Sequence, residues 1–101
     1  MAENRDKIQE LFQKRISIVG EISALNAQQL QNSQMLLGNG IDLQRCTENM
    51  KEHGDTEAVR EEYEQACARE ENLQKVVADC EDRLADLDRQ VADLDRKLEE
   101  L

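Results

Sequence analysis

One pattern limits this chain more than any other. From Val59 to Leu101, apolar side chains recur at alternating steps of four and three: Val59, Tyr63, Ala66, Leu73, Val77, Cys80, Leu84, Leu87, Val91, Leu94, Leu98 and Leu101. Glu70 is the single polar occupant of that series. Such spacing keeps one narrow stripe on one side of a helix, which is the signature of a coiled coil. The near-repeats LADLDRQ and VADLDRK, starting at Leu84 and Val91, each fill one heptad. Glu71 with Lys75, Asp79 with Arg83 and Asp93 with Lys97 place an acid one turn before a base, an order that supports a helix. The chain contains no Pro to interrupt it.

The first half carries the same spacing in mirror image. His53-Gly54-Asp55-Thr56 is the best turn signal, with Gly54 suited to a left-handed helix end and Asp55 or Thr56 to the next N-cap. A chain that folds back at Gly54–Asp55 sets Leu101 opposite Ile8, Leu98 opposite Leu11, Val91 opposite Ile18, Leu87 opposite Ile22 and Leu84 opposite Leu25. Nearer the turn, Leu73 meets Leu36, Ala66 meets Leu43, Tyr63 meets Cys46 and Val59 meets Met50. Registers one heptad away would put the turn at residue 51 or 58, where there is no Gly. The expected fold is therefore all-α: one domain over residues 1–101, a long antiparallel helical hairpin. Helix 1 is expected over about 4–52, the turn over 53–55 and helix 2 over about 56–101. Each helix would run ~70 Å at 1.5 Å per residue.

Gly38-Asn39-Gly40 interrupts helix 1 in composition, although the heptad phase continues across it. Two glycines cost a helix interior roughly 2 kcal/mol against Ala, so an irregularity is expected at 38–40. Asn39 also falls opposite Glu70, which makes this a weak polar spot in the seam. A tolerated irregularity is preferred to a functional hinge.

Charge separates the two halves. Residues 1–50 carry five Lys/Arg and six Asp/Glu, whereas residues 51–101 carry eight and seventeen, and together they make the net charge of −10. The second helix thus belongs outside, with a narrow seam and an acidic exterior. The first is nearly neutral and has more apolar surface than one neighbour covers: Phe12, Ile16, Val19, Leu30, Leu37 and Ile41 form a second stripe beside the seam. A stripe that wide faces a further partner. The expectation is a homodimer in which helix 1 packs on helix 1′, a four-helix bundle, because closed homo-oligomers are the commonest assemblies. An amphipathic helix of another protein is the alternative occupant. A parallel homodimer of helix 2 is a competing architecture, with Arg83 reaching Asp88′ and Gln90 reaching Asp95′. There Cys80 would meet its own copy; in the hairpin it faces Gln29.

No catalytic or ligand-binding constellation emerges. His53, the one histidine, sits at the turn and lies seven residues from Cys46. Cys46, Cys67 and Cys80 form no CxxC pair and read as small apolar residues; Cys46 and Cys67 approach disulfide reach only marginally. The Glu61, Glu62, Glu64, Glu70 and Glu71 cluster lacks a ligand-bearing loop and reads as a solvated helix face. No cofactor, metal or small-molecule substrate is expected, and no enzyme activity. The acidic pI near 4.5 disfavours nucleic acid and anionic membrane. The longest apolar run, Met35-Leu36-Leu37, is too short for a membrane span or a secretory signal, so a cytoplasmic location is expected. Two functions are consistent with these features: a homodimeric scaffold, or an acidic adaptor or chaperone that captures a partner's helix on the second stripe.

Overall fold

The computed structural model describes residues 2–101 and is an antiparallel helical hairpin, with no strand among the described residues. Helix α1 spans Ala2–His53 and α2 spans Glu57–Glu99. Glu3 and Glu57 occupy first turns, while Lys51, His53, Arg96 and Lys97 occupy last turns, so charge complements the dipole at all four ends. Gly54 has φ of 80°, the left-handed value that ends a helix without strain only at Gly. Thr56 caps α2: its hydroxyl accepts from the Val59 amide at 3.3 Å, and its carbonyl accepts the first helical bond from Arg60 at 3.0 Å. Asp55, the other candidate cap, instead receives the Arg60 guanidinium at 2.9 and 3.2 Å.

The irregularity expected at 38–40 is not present. Gly38, Asn39 and Gly40 are helical, within an α1 that runs unbroken to His53. Glycine lowers helix propensity without forbidding helical dihedrals, and Asn39 is fixed by three hydrogen bonds described below.

The chain forms two compact units, one of residues up to Gln28 with Cys80–Leu101, the other of Gln29–Asp79. In the first, Cys80, Leu87 and Leu94 are buried, and Ile8, Leu11, Ile18, Ile22, Leu25, Leu84, Val91 and Leu98 are half-buried. In the second, Cys46 and Ala66 are buried, with Leu36, Leu43, Met50, Val59, Tyr63, Leu73 and Val77 half-buried. These are the positions of the four–three series, so each unit has a core one side chain thick. Complete burial of one such aliphatic side chain stabilises by about 1.5–3 kcal/mol, and among the described residues Leu87 is the one large side chain completely enclosed, at 1% exposure. Leu101, the last position of the series, lies beyond the end of α2 at Glu99 and is 47% exposed.

Candidate interaction surfaces on the first helix

Within the first unit the seam of α1 is not wholly apolar. Arg15 takes the position between Leu11 and Ile18, and its Nε donates to Asp95 Oδ1 on α2 at 2.7 Å. That bond, and the carboxylate charge behind it, raise the Arg15 pKa. Glu21 accepts from Arg83 Nη2 at 2.9 Å, so Arg83 is turned toward α1 within its own chain. The Cys80 thiol donates to the Leu25 carbonyl at 3.6 Å.

The second unit has a polar interior. Asn39 is 5% exposed; its Nδ2 donates to the Ala66 carbonyl and to Glu70 Oε2, both at 2.9 Å, and its Oδ1 accepts from Arg69 Nε at 3.0 Å. The meeting of Asn39 with Glu70 was expected from register, but the expected weak spot is a satisfied network. Asn32, 3% exposed, donates to Gln29 Oε1 at 3.1 Å, and Gln29 Nε2 donates to the Val77 carbonyl at 3.0 Å. Among the described residues no buried side-chain nitrogen or oxygen lacks a partner. The burial of Asn32 escaped the sequence reading, although its heptad position between Gln29 and Leu36 carried the signal.

All six residues of the second stripe are exposed. Phe12, Ile16 and Val19 form one apolar face on α1 in the first unit, with Ile16 at 65% exposure. Leu30, Leu37 and Ile41 lie on α1 in the second unit, with Leu37 at 72%. Phe12, Ile16 and Val19 follow at one-turn steps, so they share a side of the helix; Leu37 and Ile41 do the same. Single exposed apolar residues are ordinary, but runs in one row along a helix are the kind of surface that mediates contact. Met35 and Val76 are also exposed and lie outside the predicted stripe.

Groups with chemical potential are dispersed. His53 ends α1 with its Nε2 3.7 Å from Glu52, while Cys46 is buried in the seam. Cys46, Cys67 and Cys80 are free thiols. The Cys67 thiol, hydrogen-bonded to Tyr63 one turn earlier, raises the phenol's pKa. Among the described residues no group of three His, Cys, Asp or Glu side chains is placed to hold a metal ion. Among the described residues no helix is long and apolar enough to cross a membrane. No family model matches this chain, and the comparisons with curated proteins and solved structures found no match.

Proposed function

We propose that this chain is a non-enzymatic coiled-coil interaction module that acts as a homodimeric scaffold or structural subunit in the cytoplasm, with α1 as its contact surface. The supporting observation is the exposure of Phe12, Ile16, Val19, Leu30, Leu37 and Ile41 on a helix whose other apolar row is occupied by α2. Covering them with α1 of a second copy gives a four-helix bundle and leaves the acidic α2 helices outside. A second reading draws on charge: the protein's −10 net charge would attract a basic amphipathic helix from another protein, making the chain an adaptor or chaperone.

The variant Phe12→Asp with Val19→Asp tests the surface. Light scattering should report a dimer for the wild type and a monomer for the variant, with unchanged helicity by circular dichroism. A wild-type monomer that forms a stable one-to-one complex with a basic amphipathic helix supports the second reading. A dimer of unchanged mass in the variant removes this face from the interface.

A further inference from the structure

The exposed face of α1 has an internal symmetry that specifies how a second copy would lie on it. Ordered along the helix, its large apolar residues are Phe12, Ile16 and Val19, then Leu30, Leu37 and Ile41, with Ser23, Asn26 and Ala27 between the two groups. Turning one copy end for end about an axis near Ala24–Leu25 brings Phe12 opposite Leu37′ and Val19 opposite Leu30′. Ile16 and Ile41′ then flank the Phe12–Leu37′ contact one turn to either side. The two-fold operation repeats every contact, as an isologous interface requires. The seam between α1 and α2 has the same kind of antiparallel layering.

Charge leads to the same geometry. No Asp, Glu, Lys or Arg occurs from Ile22 to Ile41. Of the three charged residues between Phe12 and Ile22, Arg15 and Glu21 are engaged by Asp95 and Arg83. The face is therefore nearly free of unpaired charge and suits an equally uncharged surface, and α1 of another copy is one. Beyond the apolar groups lie exposed Arg5 at one end and exposed Glu48 at the other. Antiparallel packing brings Arg5 toward Glu48′ twice, whereas parallel packing sets Arg5 beside Arg5′ and Glu48 beside Glu48′.

Gly20 supplies an independent observation. It is helical, has no positive φ, and a methyl group there would meet no atom within 4 Å. Within the hairpin it only weakens α1, by about 1 kcal/mol relative to Ala. It lies beside Val19 and Ser23, close to the symmetry axis, where lack of a side chain lets a second helix come near.

We propose that the partner of this face is a second copy of the chain, packed antiparallel, α1 on α1′, with its two-fold axis near Ala24–Leu25 and its closest approach at Gly20. The arrangement sets the apolar group of the first unit in one copy on that of the second unit in the other. It rests on the self-association proposed above and specifies its geometry.

Disulfide trapping and one substitution test it, in protein whose Cys46, Cys67 and Cys80 are replaced by Ala and whose helicity is verified. Gln9→Cys alone should give no covalent dimer on mild oxidation, and Gln9→Cys combined with Gly40→Cys should give one, since these positions oppose each other across the antiparallel pair. Covalent dimer from Gln9→Cys alone means parallel packing; that overturns this geometry and leaves the scaffold reading standing. In the native-cysteine chain, Gly20→Leu should raise helicity and thermal stability of the hairpin while weakening dimerisation at least tenfold. Undiminished dimerisation in Gly20→Leu overturns the close approach. A wild-type chain that sediments only as monomer overturns both the geometry and the self-association beneath it.

Discussion

Asn39 Nδ2 donates to Glu70 Oε2 at 2.9 Å from one helix of the hairpin to the other, and Glu70 is the one polar residue in the α2 series. With the Ala66 carbonyl and Arg69 Nε also bonded to Asn39, this layer is fully satisfied in the observed register. A slip of one heptad would take the buried Asn39 carboxamide away from Glu70 and Arg69. Asn39→Ala should lower stability by about 2 kcal/mol in urea unfolding. Asn39→Leu should melt at or above the wild-type temperature but give duplicated amide signals in NMR, because an apolar residue there accepts neighbouring registers. A single, sharp spectrum for Asn39→Leu would contradict the register role.

Burial separates residues that hold the hairpin from those that cover its outside. Leu87→Ala, at a side chain 1% exposed, should cost about 2–5 kcal/mol by loss of transfer energy plus cavity. Leu37→Ala, at 72% exposure, should change the unfolding free energy of the isolated hairpin by less than about 0.5 kcal/mol. Equal losses in denaturant titrations of dilute protein would mean that Leu37 is packed in the monomer.

Much of this was legible in the sequence, for one physical reason: a four–three series identifies the buried row of a helix, and one Gly at the right place fixes where two rows meet. Val59 through Leu98, and Asn39 against Glu70, could be read that way. The six exposed residues of α1 were legible as the row left over. The continuity of α1 across Gly38-Asn39-Gly40 was not, because propensity registers the cost of two glycines and cannot see the three hydrogen bonds Asn39 gains. The Arg15–Asp95 and Glu21–Arg83 pairs were missed as well. Long charged side chains reach a turn up or down the opposite helix, so heptad position does not fix their partner.

The same substitution should have opposite effects at Gly54 in the turn and at Gly38 inside α1. Gly54→Ala forces a Cβ into φ of 80° and should destabilise by about 1 kcal/mol. Gly38→Ala adds a methyl group with no atom within 4 Å and should stabilise by up to about 1 kcal/mol. Thermal melts of both variants at one protein concentration decide the matter.

Acid should remove the contribution of the turn's ion pair. The Arg60 guanidinium, chiefly through its hydrogen bond, holds the Asp55 carboxyl below its ordinary value of 3.8. A carboxyl depressed in the folded state adds stability above its unfolded pKa and loses it as pH falls through the folded value. Asp55→Asn should therefore melt slightly below wild type at neutral pH, and the two melting temperatures should converge as pH falls through the lowered Asp55 pKa. A difference that persists unchanged in acid would show that Asp55 acts through something other than its charge.

The claim on which the functional account turns is that α1's exposed apolar row is covered by another copy. Equilibrium sedimentation of the wild-type chain measures it without any substitution. The account predicts a single species of twice the 11.6 kDa chain mass at micromolar concentration. A species of 11.6 kDa that persists up to about 100 μM, where even a weak dimer of that dissociation constant would be substantially populated, would contradict it.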